Sequence, residues 1–368
     1  TGTYGAIAVD SAGAWTYTLS NTDADTTALD AGDSVTDTFT LTVSDGTATD
    51  TMDVVITVTG ANDAPSAGSD GTGAVTEDAS TSTATGSISA TDADDAAAFT
   101  YTGDATGTYG AIAVTSAGAW TYTLSNSDAD TTALDAGDSV TDTFTMTVSD
   151  GTASDTMDVV ITITGANDAP SAGSDGTGAV TEDATATTAT GSITATDVDD
   201  AAAFTYSGDA TGTYGAIAVD SAGAWTYTLS NTDADTDALA HDGSGTDTFT
   251  LTVSDGTATD TMDVVITVSG ANDAPTVASE ISDASTDEDA AYSLDISSNF
   301  ADGDTGDAMT YAATGLPSSG ALTMSTAGVL SGTPTNDDVG AYTVIVTATD
   351  DATTAGSVTD TFTLTVVN

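Results

Sequence analysis

Not one lysine or arginine occurs in 368 residues, against 57 aspartates and glutamates. At ordinary usage about a tenth of residues would carry those two side chains, so their absence is a property of the protein and not chance. It excludes nucleic-acid binding, because nothing is present to neutralise phosphates, and it disfavours anionic membrane surfaces. No carboxylate can pair with lysine or arginine, so the negative field must be relieved by bound cations or by salt. Cysteine is also missing, which removes disulfides and thiol chemistry, and without lysine there can be no isopeptide cross-link. An extracellular chain so deprived needs another staple, and metal ions are what remains. The one histidine, His241, cannot supply a serine–histidine–aspartate triad to more than one part of the chain, and it reads as an ordinary surface-loop residue. No apolar run approaches the ~20 residues of a membrane helix, which argues against direct membrane insertion. No signal peptide opens the chain. Thr1 falls inside a repeat, so the sequence reads as a window on something longer.

What is present is patterned. Apolar residues make up 39% of the chain, too many and too regularly placed for a disordered acidic polymer. Threonine, valine, isoleucine, tyrosine and phenylalanine dominate the patterned stretches, which favours strands. The hexapeptide Gly-Ala-Asn-Asp-Ala-Pro stands at 60–65, 165–170 and 270–275, and Trp15, Trp120 and Trp225 keep the same step of 105 residues. That period is one small domain, not a solenoid unit. It divides the chain into blocks 1–64, 65–169, 170–274 and 275–368.

Within the second block, short strands are expected at 74–77, 85–91, 99–102, 109–114, 119–124, 143–149 and 158–164. Ser116-Ala117-Gly118 turns a hairpin between two of them. Phe144, Met146 and Val148 alternate with Thr143, Thr145 and Thr147, one set facing inward. Seven strands in about 100 residues predict an all-β fold of tandem immunoglobulin- or cadherin-like Greek-key sandwiches arranged end to end. The tryptophans are expected in the cores. The first block starts at the point equivalent to Thr106 and lacks three strands, which either upstream residues or a strand from another chain would supply. The last block has no tryptophan, carries its own turn sequences, and reads as a further, complete sandwich.

Strand directions place the carboxylates. The ends of the second and sixth strands, with Asp92 to Asp95 and Asp150, share a pole with the incoming linker. Glu77, Asp135 and Asp138 share the opposite pole with the outgoing one. Around 165–170, Glu77, Asp135 and Asp138 are therefore expected to converge with Asn167 and Asp168 on Asp197, Asp199 and Asp255. The same step assigns Asp30, Asp33, Asn62, Asp63, Asp92, Asp94 and Asp150 to the first joint. The third takes Glu182, Asn272, Asp273, Asp302, Asp304 and Asp350. So many carboxylates share a small volume only around a multivalent cation. An irregular set of hard oxygens, carbonyl and amide included, favours Ca²⁺; softer metals would ask for histidine or cysteine. Capping of Asp-Gly turns is the ordinary alternative for any one aspartate.

These residues resemble a known family. Asn-Asp-Ala-Pro, the Asp-Ala-Asp pair, Leu-Asp-Ala-Gly-Asp before a Phe-Thr strand, and Ser-Asp-Gly resemble bacterial cadherin-like repeats. Gly-Ala-Trp-Thr-Tyr-Thr-Leu is similar to the VCBS repeats of giant surface adhesins. The last block resembles a dystroglycan-type cadherin-like, immunoglobulin-like module. The resemblance implies extracellular sandwiches with several Ca²⁺ ions rigidifying the linkers, in adhesion and biofilm proteins. The expected chain is thus a non-catalytic, secreted or cell-surface rod, a stalk segment of an adhesin; the alternative is a subunit of an extracellular filament or surface layer. Neighbouring copies of itself and cell-surface or matrix components are the expected partners besides calcium. The joint at 270–275 should be the weakest, because Leu239-Ala240-His241-Asp242 replaces Leu-Asp-Ala-Gly.

Overall fold

The computed structural model describes residues 1–94, 98–199, 202–352 and 354–368; Asp95 of the run just named lies outside them. Strands dominate, with single helical turns at Ala24–Thr27 and Ala129–Thr132 and 3₁₀ turns at Ser297–Asn299 and Asn336–Asp338. Contacts divide the chain into two compact units. One comprises Thr1–Asp168 with Val198–Ala201, the other Ala169–Asp197 with Ala202–Asn368.

In the first unit, one four-stranded sheet orders Ala105–Thr106, Gly110–Val114, Ala119–Leu124 and Thr83–Ser87. The other orders Gly71–Thr76, Ser154–Thr164, Ser139–Ser149 and Thr100–Thr102. Only Gly71–Thr76 runs parallel to its neighbour, the last strand, as a sandwich that brings its first strand back beside its last requires. Phe144, Met146 and Val148 face Trp120, Tyr122 and Ile112 across the core, while the threonines between them stay outside, the period-2 alternation of a half-buried sheet. Trp120 is core, 2% exposed. Its indole lies flat over Gly86, where a Cβ would sit 2.4 Å from Cζ2; only glycine leaves that room.

The two long strands begin at Ser139 and Ser154, four residues earlier than the alternation predicts at 143 and 158. For the first of them the reason is Asp142, an inward-facing charge that reads as a strand end but is buried. It accepts hydrogen bonds from Tyr122 Oη (2.9 Å), Thr108 N (2.9 Å) and Tyr109 N (3.1 Å). Such a carboxylate can be buried because each charged oxygen keeps a donor. The same latch joins Tyr17 to Asp37 and Tyr227 to Asp247.

Residues 1–64 form two hairpins, Gly5–Val9 with Trp15–Leu19 and Ser34–Ser44 with Thr49–Thr59. Here the inner face is open. Trp15 is 47% exposed and Met52 65%, whereas Met157, one repeat later, is 4% exposed. Side chains of the same kind differ because no counterparts of Gly71–Thr76, Thr83–Ser87 and Thr100–Thr102 cover them.

The second unit repeats the sandwich, with Trp225 and Tyr227 in its core. It continues into a different one, whose sheets order Ala284–Asp287, Ser357–Val367, Gly340–Thr349, Thr310–Thr314 and Tyr292–Asp295, Val329–Gly332, Leu322–Met324. Phe300 and Tyr311 pack there with Leu330, Val344 and Phe362, and Leu330, two residues after Gly328 as Trp120 is after Gly118, stands where the repeats use tryptophan.

Candidate metal centre

The linker hexapeptides gather acidic side chains by their backbone amides. At 60–65, Asp63 N donates to Asp94 Oδ2 (3.2 Å) and Asn62 Nδ2 to Asp150 Oδ2 (3.1 Å). Asp94 N in turn donates to Asp92 Oδ1 (3.2 Å). Asp30, Asn62, Asp94 and Asp150 line a cleft of about 270 Å³. Asp30 Oδ1, Asp92 Oδ2 and Asp94 Oδ1 are buried without hydrogen-bond partners. Burial pushes the Asp94 carboxyl up, and Asp92, Asp30 and Asp63 add to this against the pull of the Asp63 amide. Asp150 behaves differently. Its Oδ1 caps the Ser-Asp-Gly turn through Thr152 N and Ala153 N, and these donors hold it low. Turn-capping and linker contact thus coexist in one side chain.

Asp33 and Asp138 are exposed. It is their backbone carbonyls that close the linkers, accepting from Gly60 N and Gly165 N at 3.0 Å each.

Of the residues assigned to 165–170, Glu77, Asp135, Asp138, Asn167, Asp168 and Asp199 lie in the first unit, and Asp197 and Asp255 in the second. Glu77 is buried, its Oε2 accepts from Ala166 N (3.1 Å), and its Oε1 has no hydrogen-bond partner. Asp168 N donates to Asp199 Oδ2 (3.2 Å), repeating the Asp63–Asp94 contact.

The joint at 270–275 lies wholly within the second unit. Glu182 accepts from Ala271 N (3.2 Å), Asp273 N donates to Asp304 Oδ2 (3.0 Å), and Asn272 Nδ2 to Asp350 Oδ2 (3.1 Å). Asp304 N donates to Asp302 Oδ1 (3.1 Å). Glu182, Asp237 and Asp273 each bring one ligand atom within 4.8 Å of the others. Burial, with Asp273, Asp183 and Asp237 close by, pushes the Glu182 carboxyl up to about 7 despite the Ala271 amide. Asp273 is raised too, by burial and then by Asp304.

Residues 62–165 and 167–270 each match the bacterial cadherin-like domain. The chain belongs to that family. Residues 274–367 match the family described as Putative Ig domain. Among solved structures, protocadherin gamma B2 extracellular cadherin domains 1–5 are 15% identical with a TM-score of 0.61, over 99% of this chain and 72% of that one. Mouse cadherin-23 EC22–24 is 20% identical with a TM-score of 0.56, over 82% and 98%. The protocadherin gammaB4 extracellular domain is 15% identical with a TM-score of 0.58, over 99% and 59%. At such identities the likeness shows the fold alone. A search of curated proteins found no match.

Two participants in these cadherin-like joints escape sequence reasoning. Asp237 takes the place held by Thr27 and Thr132 in the other repeats, so copying ligands along the period passes over it. The departure from the repeat was the available signal. Asp307 has no counterpart among the repeats, yet it shares a 4.8 Å cluster with Asp302 and Asp304.

Proposed function

We propose that this chain is a non-catalytic, calcium-stiffened extracellular segment of a surface adhesin or biofilm-matrix protein. In this reading its sandwiches, 65–169, 170–274 and 275–368 after the part-sandwich 1–64, act in series as an elongated rod. Several Ca²⁺ ions sit at the linkers. Membership of the bacterial cadherin-like family supports a structural or adhesive role outside the cell, and that family is not an enzymatic one. The observation that carries the calcium assignment is the convergence of Glu182, Asp237 and Asp273 within 4.8 Å in a chain with no lysine or arginine to compensate them.

Ca²⁺ takes six to eight oxygens at ~2.3–2.6 Å. At the third joint Asn272, Asp302, Asp304 and Asp350 complete the proposed set. At the first joint it comprises Asp30, Asp33, Asn62, Asp63, Asp92, Asp94 and Asp150. At the second it comprises Glu77, Asp135, Asp138, Asn167, Asp168, Asp197, Asp199 and Asp255. Asp33 and Asp138 would contribute through exposed carboxylates, or act only through their carbonyls.

Calorimetric titration of chelated protein with Ca²⁺ tests the assignment. Saturable binding of several ions is expected, together with a longer scattering-derived maximum dimension than in excess chelator. Absence of saturable heat, with an unchanged dimension, would exclude calcium as the stiffener.

A further inference from the structure

Left-handed backbone at a residue other than glycine is uncommon and persists where the surroundings hold it in place. Among the described residues it occurs at Asp78, Asp183 and Asp289, with φ of 51°, 53° and 50°. Each follows a glutamate, Glu77, Glu182 or Glu288. That glutamate stands directly after the strand that pairs in parallel with its sandwich's last one: Gly71–Thr76, Gly176–Thr181 or Ala284–Asp287. Its amide donates to the last strand, at Thr164 O, Ser269 O or Val367 O, 2.9 Å in every case.

At the third joint a side chain from elsewhere in the sandwich holds the kink. Asn231 Oδ1 accepts from Asp183 N (3.0 Å), and Asn231 Nδ2 donates to Asp183 Oδ1 (2.7 Å). Asp183 N belongs to the peptide group that follows the Glu182 Cα, and Ser269 O holds the peptide group that precedes it. With both flanking peptide groups tied, the direction of the Glu182 side chain is set. Its carboxylate accepts from Ala271 N of the linker (3.2 Å) and is buried there with Asp237 and Asp273. A carboxamide suits the task, because it offers an acceptor to the amide and a donor to the carboxylate at once. In the last sandwich a main-chain oxygen does the first half of this work, Asp289 N donating to Pro334 O (2.8 Å).

We propose that Asn231 is a positioning residue for the third joint. By clamping Asp183 in the left-handed conformation it aims the Glu182 carboxylate at the linker and at the ion held there. The last clause rests on the calcium reading above; the hold of Glu182 on Ala271 does not. Asn231 is outside the proposed ligand set and acts through Asp183.

Two full-length variants test the role. Asn231→Asp sets a second carboxylate against that of Asp183 and breaks the reciprocal pair. Adding Asp183→Asn restores the pair with donor and acceptor exchanged, at the net charge of the wild type, and asparagine also tolerates the left-handed conformation. In excess chelator, deuterium exchange over residues 269–277, which include the Ala271 amide, should lose protection in the single variant and regain it in the double one. Calcium affinity at this joint should fall at least ~10-fold in the single variant, the scale of losing a group that orients a metal ligand, and recover in the double one. Unchanged linker exchange in Asn231→Asp would overturn the assignment. So would a double variant as impaired as the single one, since asparagine would then serve something other than this pair. If linker exchange follows the pair while the wild type binds no calcium, the calcium reading falls and the positioning of Glu182 stands.

Discussion

At Glu182 the surroundings decide what an ionised carboxylate costs. Burial and the neighbouring Asp273, Asp183 and Asp237 raise its folded-state value to about 7 from an ordinary 4.5, and the Ala271 amide offsets this only in part. A carboxyl raised on folding contributes stability that is fully present below its unfolded value and is lost as pH rises through the folded one. In excess chelator the wild-type chain should therefore lose stability between pH 4.5 and about 7. Glu182→Gln removes the titrating proton and should flatten that part of the profile. With Ca²⁺ bound, the carboxylate has its counter-ion, so the loss disappears and binding releases a proton. Melting temperatures across this range for both proteins measure the effect, and parallel profiles would show that Glu182 ionises freely.

The elements hold together through contacts that bridge the two sheets. Tyr227 Oη donates to Asp247 Oδ2 (2.9 Å), linking Ala224–Leu229 to Ser244–Ser254, while Thr213 N and Tyr214 N (2.7 and 3.1 Å) bind the same carboxylate. Burial, then the bond to Asp247, raises the Tyr227 hydroxyl well above the ordinary tyrosine range, so it remains a donor at any pH of interest. Tyr227→Phe should cost about 1.5–3 kcal/mol, the range for a hydrogen bond to a charged partner, in chemical denaturation of the second unit. A loss below about 0.5 kcal/mol, the scatter of ordinary surface substitutions, would show the latch to be dispensable. This latch also marks the limit of legibility at the scale of elements. The alternation of Phe144, Met146 and Val148 announced a strand and its buried face, and the 105-residue period announced the repeats. Asp142 ended that reading early, because an inward charge is rejected by pattern until its partners are known, and Tyr122 lies 20 residues away. The linker carboxylates were legible for a related reason: strand direction alone fixes which pole a strand end reaches. That logic brought Asp94 and Asp150 to Asn62–Asp63, and Glu77 to Ala166. It could not reach Asp237 or Asp307, which break the period.

Across the whole molecule, a net charge of −57 raises the question of whether calcium acts at sites or merely as a screen. A screen is indifferent to identity. Raising monovalent salt from ~0.01 to ~0.15 M contracts the Debye length from about 30 to 8 Å, so it should stabilise the chelated protein by damping diffuse repulsion. Ions held at linkers add a linkage term of about 2.7 kcal/mol per independent site when free Ca²⁺ exceeds Kd by ~100-fold. At roughly 4–8 °C per kcal/mol for a domain of this size, even one such site should raise Tm by ten degrees or so beyond NaCl of matched ionic strength. Asp237→Thr, which restores the residue of the other repeats, should remove part of the second unit's increment, because Glu182, Asp237 and Asp273 share one small volume there. Calorimetric scans in chelator, in matched NaCl and in Ca²⁺ separate the two cases. Equal stabilisation by NaCl and Ca²⁺ would reduce the carboxylate clusters to a diffuse negative surface, and with it the stiffening of the linkers to ordinary screening.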